Sequence, residues 1–149
     1  MQTLLTVYLD QNKWIALARE FYGRGDGGEA REALAHVSRA VANESAVFPL
    51  SGMHYMETWR INGSARRKRL GEFMTRISQG RTFASYRAIL NHELELAIAR
   101  RTSLFDPEPF EVVGRGVSHA FGMPIAEYSL PEGVRIVAGK NADALELAM

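Results

Sequence analysis

The sequence predicts a single α/β domain in which a mainly parallel central sheet is flanked by at least four helices. Two short apolar runs, residues 5–9 and 47–50, have the length and composition of buried strands. Two segments with helical spacing of apolar residues lie between them. A chain that passes through helices between two strands must cross over the sheet, and such a crossover favours parallel pairing. With 149 residues, the chain is long enough for one domain with a substantial core.

The composition is that of an ordinary globular protein. Hydrophobic residues make up 46% of the chain, charged residues 23%, and the net charge is +1. The absence of cysteine excludes disulfides, thiolate metal sites and a cysteine nucleophile. The sequence has neither a signal-peptide pattern nor an apolar run of the roughly 18 residues that a membrane span needs. We therefore expect a cytoplasmic protein that has no membrane partner.

The first helix is predicted over residues 11–22, directly after the first strand. Its apolar positions form one stripe, which consists of Trp14, Leu17, Ala18 and Phe21. This spacing predicts that Trp14 belongs to the core rather than stacking on a base. Asp10 lies between the strand and the helix, where an acid is either a helix N-cap or a ligand at the carboxyl edge of the sheet. The local sequence leaves both interpretations open.

The second strand is followed by the same layout as the first. A glycine-rich loop at residues 23–28 and a helix over residues 29–43 lead to that strand, and a turn at Ser51-Gly52 follows it. The next helix, from His54 to Arg60, carries Glu57 in its interior. Parallel strands send their following helices out of the same edge of a sheet. Asp10 and Glu57 are therefore expected to converge on one cation.

The fourth helix, predicted over residues 65–79, carries the dense basic run of the chain on its first turns. Arg66, Arg67 and Arg69 belong to this run, and Arg60 precedes it. The run is either the solvated face of a helix or a phosphate-binding ridge. Its apolar residues Leu70, Phe73, Met74 and Ile77 are predicted to face inward.

The remaining elements are a long helix over residues 86–101, an extended piece at 110–113 and a glycine-rich loop at 114–122. The stripe of the long helix consists of Leu90, Leu94, Ala97 and Ile98, and Glu93 beside it is either a third carboxylate or ordinary surface. Arg115 and His119 in the loop either line an active-site mouth that holds a phosphate or belong to a mobile surface. A last helix from Asn141 stops in mid-stripe, which suggests a truncated chain or a fragment of a longer protein.

Two longer strings, YLDQNKWIALAR and FPLSGMHYMETWRI, carry a family resemblance. Their order of strand, Asp and helix, then strand, Ser, helix and Glu, resembles the PIN-like domain family over about residues 1–80. The resemblance implies a three-layer fold whose acidic cluster binds magnesium or manganese and cleaves RNA. Asp10 and Glu57 are then the catalytic metal ligands. The further acids of the cluster would come from Glu93 and from Asp143, the only late aspartate.

Several polar side chains are candidates for contacts with the RNA. Asn12 and Ser51 are placed to orient a water or a phosphate by hydrogen bonding, and His54, three residues before Glu57, to contact a phosphate. The chemistry would be metal-assisted hydrolysis of a phosphodiester, which requires no protein nucleophile. The alternatives are a non-catalytic PIN-like module that binds nucleic acid or a protein, and a purely structural interaction domain. Assembly with a second copy or another protein also stays open.

Overall fold

The computed structural model describes residues 4–122, which adopt a mixed α/β fold. The class predicted from the sequence is therefore confirmed. In chain order the elements are β1 (Leu5–Thr6), α1 (Gln11–Phe21), α2 (Glu29–Ala42), β2 (Ala46–Val47), α3 (Gly52–Trp59), α4 (Ser64–Ser78), β3 (Arg81–Phe83), α5 (Tyr86–Thr102), β4 (Val113–Arg115) and α6 (Gly116–Phe121).

The first two strands pair in parallel, as predicted, with Leu5 beside Ala46 and Thr6 beside Val47. The prediction of a mainly parallel sheet is wrong for the second pair, because β3 and β4 are antiparallel. Phe83, the last residue of β3, lies beside Val113, the first residue of β4. The chain thus leaves through α5 and returns to the same end of the strand pair, so no crossover is needed.

Residues 45–50 form the link between the two strand pairs. On one side, the Val7 N–H donates to the Val47 carbonyl at 2.9 Å. On the other side, the Leu50 N–H donates to the Arg81 carbonyl at 2.9 Å, and a parallel bridge joins Leu50 to Thr82. Pro49 between them has no N–H to give to a ladder, which helps to explain why the strands are shorter than predicted.

The core lies between the strands and the helices α1, α2 and α4. Trp14 is fully buried and meets Phe73 edge to face, with 6.2 Å between the ring centroids. Its predicted place in the core is therefore confirmed. The four inward residues predicted for α4 are all buried as well: Leu70, Phe73, Met74 and Ile77.

The apolar stripe predicted for α5 is not buried. Leu90, Leu94 and Ile98 remain 39%, 54% and 51% exposed, and no residue of α5 is buried. The prediction is wrong because, within residues 4–122, α5 has no extensive packing contact with another helix or strand. It does contact the loop that follows it, where Phe110 stacks on His92 of α5 with 4.7 Å between the ring centroids.

The glycine-rich stretch predicted as a loop at residues 114–122 forms the last two residues of β4 and all of α6 instead. The Gly114 N–H donates to Nε2 of His119 at 3.0 Å, so the imidazole folds back on its own segment. A side chain at Gly114 would have no room, because an added Cβ would lie 2.8 Å from that ring. Within residues 4–122, no helix combines the length and apolar character needed to cross a membrane. The predicted last helix and Asp143 lie outside the described residues.

Candidate functional site

Asp10 is the N-cap of α1. Its backbone is extended, with φ −72° and ψ 166°, and its Oδ1 accepts a hydrogen bond from the Lys13 N–H at 2.8 Å. This arrangement satisfies one of the backbone donors that a helix start leaves open. The N-cap role, one of the two interpretations of Asp10, is therefore confirmed. It uses one carboxylate oxygen of an exposed side chain and leaves Oδ2 available to a ligand.

A side-chain hydrogen bond joins α1 to α3. Gln11 Nε2 donates to Thr58 Oγ1 at 3.0 Å. Gln11 follows Asp10 in the chain and Thr58 follows Glu57, so the bond joins the two segments that carry these acids. The Glu57 side chain is half-buried, and it has no hydrogen bond or ion pair with any of residues 4–122.

Gln11 contributes a further oxygen that the sequence did not reveal. Its Oε1 is buried and has no hydrogen-bond partner among the described residues. A buried polar atom without a partner costs free energy, so this carbonyl is an unsatisfied acceptor next in sequence to Asp10. We call Asp10, Gln11 and Glu57 the acidic edge.

His54 holds the end of the first strand against the start of α3. Its ring is 1% exposed, and its Nδ1 lies 2.9 Å from the Ser51 backbone nitrogen, which can only donate. Nδ1 is therefore the acceptor, and Nε2 carries the proton that is donated to the Leu9 carbonyl at 2.8 Å. Both ring nitrogens are occupied, so His54 positions Leu9, next to Asp10, and has no nitrogen left for a metal or a phosphate.

The environment of His54 also shows that both acids are close to it. Burial lowers the pKa of His54, while its bond to the Leu9 carbonyl and the charges of Glu57 and Asp10 raise it by smaller amounts. Tyr8 covers the ring, with 5.3 Å between the centroids and 26° between the planes. Tyr8 remains 58% exposed and is an aromatic surface beside the acidic edge that sequence reasoning missed.

The lowered pKa of His54 predicts how stability depends on pH. The unfolded chain takes up a proton near the ordinary value of 6.5, whereas folded His54 resists protonation. The free energy of unfolding should therefore fall as the pH drops through 6.5, by at most about 1.4 kcal/mol per pH unit for one proton. Urea unfolding of the wild type and His54→Gln at several pH values measures this. An equal pH slope in both proteins would contradict it.

The other predicted site residues are distributed around these positions. Asn12 is exposed on the first turn of α1, Ser51 is the N-cap of α3, and Arg60 is its exposed C-cap. Glu93 is exposed on α5, and residues 4–122 contain no group of three or more His, Asp or Glu side chains that could hold a metal ion. Within this part of the chain, the acidic edge therefore has two carboxylates and no third one.

Arg115 and His119 stabilise the corner between β3, β4 and α6. Arg115 Nη1 donates to the Gln79 carbonyl at 3.3 Å, and His119 accepts from Gly114 as described above. Their segment also contacts α3, because α6 packs on the start of that helix. The Tyr55 and Phe121 rings are 6.0 Å apart there.

The basic run divides into two parts in the folded chain. Arg67 Nη1 donates to the Ile61 carbonyl at 3.0 Å, and its guanidinium lies 5.2 Å from the centre of the Trp59 ring. Arg66 and Arg69 instead line a pocket of about 240 Å³ together with Arg19 and Arg24. We call these four residues and the space between them the arginine pocket. Arg19 and Arg24 were missed, because one lies on α1 and the other in the glycine-rich loop, far from the basic run in sequence.

The acidic edge and the arginine pocket are separate sites. Both lie along α1, but Asp10 and Arg19 are nine residues apart, which corresponds to about 14 Å of helix. Comparison of the chain with protein-family models, with curated proteins and with solved structures finds no match. The function must therefore be argued from these two sites.

Proposed function

We propose that this protein is a PIN-like, metal-dependent ribonuclease whose magnesium or manganese ion is held at the acidic edge. The observation that supports this most is the Gln11–Thr58 bond between α1 and α3, because it joins the segments that carry Asp10 and Glu57. The parallel pairing of β1 and β2 has the same effect, since both following helices leave one edge of the strands. The three-layer arrangement of the PIN-like family is part of the proposal.

The residues at the acidic edge fit a hard cation. Magnesium in proteins commonly has one or two carboxylate ligands and completes its shell with waters and a substrate phosphate. Asp10 Oδ2 and the Glu57 carboxylate would supply the charged ligands, and the buried Oε1 of Gln11 is a neutral oxygen within the same edge. A bound cation would supply Lewis-acid polarisation of the phosphate and activation of a water.

The surrounding residues have roles that do not depend on the cation. His54 fixes the Leu9 carbonyl and hence the position of Asp10. Tyr8 offers an exposed ring on which a base can stack, a contact worth about 1–3 kcal/mol per base. The decisive test is whether manganese binding and RNA cleavage both require Asp10.

The second candidate function is a non-catalytic PIN-like module that binds RNA. The capping role of Asp10 and the two-carboxylate edge of residues 4–122 favour it, because two carboxylates alone make a weak metal site. Such a module would bind RNA equally well with manganese and with a chelator, and it would not cleave it.

Both candidates predict that Arg66 and Arg69 bind RNA phosphates. The double variant Arg66→Ala/Arg69→Ala should weaken RNA binding and flatten its salt dependence, by about 0.7 in the log–log slope for each lost phosphate contact. Arg67 is left intact because it supports the Ile61 carbonyl. Fluorescence anisotropy with a labelled single strand at several salt concentrations measures the slope. The matched control is Arg100→Ala/Arg101→Ala on the exposed end of α5. An equal loss of RNA binding in this control would show that the basic run acts only as ordinary surface charge.

A further inference from the structure

The arginine pocket brings four cationic side chains together from three separate parts of the chain. Arg19 comes from α1, Arg24 from the loop after it, and Arg66 and Arg69 from α4. None of the four guanidinium groups forms a salt bridge with a carboxylate within residues 4–122. Glu72, an exposed acid of α4, contributes after burial to raising the pKa of Tyr22, which also lines the pocket.

Four arginines line a space of about 240 Å³, and an anion bound among their positive charges would lower the repulsion between them. Guanidinium groups are well suited to hold a phosphate, because their planar fork donates two parallel hydrogen bonds to its oxygens. A dianion offsets more of the repulsion than a monoanion does. The charge of the pocket therefore favours a phosphate monoester over a phosphodiester or a carboxylate.

The rest of the lining is apolar. The floor consists of Ile15, Ala18, Ile61 and Leu70, and the Tyr22 ring forms part of the wall. The Tyr22 hydroxyl is engaged, because it donates to the Arg69 carbonyl at 3.1 Å. At 240 Å³ the pocket is smaller than the roughly 300–1,000 Å³ typical of drug-sized ligands. It therefore suits a phosphate that carries one compact, partly apolar group.

We propose that the arginine pocket binds a phosphate monoester attached to a compact organic group, such as a single nucleotide. Two sources share this chemistry: a free mononucleotide and the phosphorylated end of an RNA strand. The proposal goes beyond the ribonuclease function and does not rest on it, since it requires neither a metal ion nor Asp10.

The test is isothermal titration calorimetry of the full chain in EDTA, with adenosine 5′-monophosphate, adenosine and inorganic phosphate as ligands. We expect the monophosphate to bind, inorganic phosphate to bind more weakly and adenosine to show no binding. The double variant Arg19→Gln/Arg66→Gln should bind the monophosphate about tenfold or more weakly, because each substitution removes a charge-assisted hydrogen bond. Both residues are exposed, so the variant should fold, and a thermal melt checks this. Arg87→Gln/Arg100→Gln on α5 is the matched control and should bind like the wild type.

Three outcomes would overturn the proposal. Binding of adenosine as tightly as its monophosphate would show that the phosphate is not recognised, and an equal loss in the α5 control would show only non-specific charge. Binding of an RNA oligonucleotide with a 5′-hydroxyl as tightly as its 5′-phosphorylated form, together with no monophosphate binding, would assign the pocket to phosphodiesters. If the monophosphate binds, the two oligonucleotides are compared as competitors for it. Stronger competition by the 5′-phosphorylated form identifies an RNA end as a source of the ligand. Equal competition by the two forms identifies the free nucleotide. All these measurements are made without metal, so a failure here is distinguishable from a failure of the ribonuclease proposal.

Discussion

Asp10→Asn should abolish the rise in melting temperature that saturating manganese gives the wild type. A ligand stabilises only the state that binds it, and a concentration of 100 times Kd contributes about 2.7 kcal/mol. The metal-free variant should be as stable as the wild type or more stable. Asn caps a helix about as well as Asp, so the bond to the Lys13 N–H is retained, and the repulsion between Asp10 and Glu57 is relieved. Thermal melts of both proteins, with manganese and with EDTA, measure the two effects.

Two further variants separate the metal role of Asp10 from its capping role. Asp10→Ala should lose about 0.5–2 kcal/mol even without metal, because the helix start loses its acceptor. Asp26→Asn removes an exposed aspartate in the loop before α2 and should respond to manganese as the wild type does. RNA cleavage in manganese should follow the same order, with activity in the wild type and Asp26→Asn alone. If Asp10→Asn gained as much from manganese as the wild type, or neither gained, the metal role of Asp10 would be refuted.

Trp14→Ala should lower the free energy of unfolding by about 3–5 kcal/mol, a loss comparable to the whole stability of a marginal domain. Trp14 is fully buried between Phe73 and His54, with ring centroids 6.2 Å away on both sides, so its removal leaves a cavity in the core. Urea denaturation measures the loss. It also tests the placement of Trp14 in the core.

The conservative variant Trp14→Phe should be far milder than Trp14→Ala. Trp14 Nε1 is buried without a hydrogen-bond partner among the described residues, so phenylalanine removes an unsatisfied donor while it keeps much of the ring. Tyr86→Ala, at an aromatic residue that is 80% exposed, should change stability by less than about 0.5 kcal/mol. A Trp14→Ala protein as stable as the Tyr86→Ala protein would contradict the core assignment.

Burial could be predicted from the sequence for those helices whose apolar face packs against another element. The stripes of α1 and α4 are buried as expected, because each faces the other across Trp14 and Phe73. The stripe of α5 has equally good spacing, yet it stays exposed. Periodicity reports that a helix has an apolar face, whereas burial depends on what lies opposite, which one segment alone does not encode.

The candidate sites show the same division. The parallel pairing of β1 and β2 could be predicted from the order of strands and helices, and the convergence of Asp10 and Glu57 stays a prediction that rests on it. The roles of Gln11, Tyr8 and Arg19 could not be read from the chain, because each depends on a neighbour from a distant segment. His54 is the clearest case: its position three residues before Glu57 suggested a phosphate contact, but burial and two hydrogen bonds at its ring give it a structural role.

The link at residues 45–50 makes the folding of the two ends of the chain interdependent. The same short segment accepts from Val7 on one side and donates to the Arg81 carbonyl on the other. Its partners are about 40 residues earlier and about 30 residues later in the chain, so both pairings require the closure of long loops. Helices and the β3–β4 pair can form without residues 45–50, but β1 has no strand partner, and the two strand pairs no link, until this segment is in place. Folding that waits on these long-range pairings is slower than folding from local contacts alone.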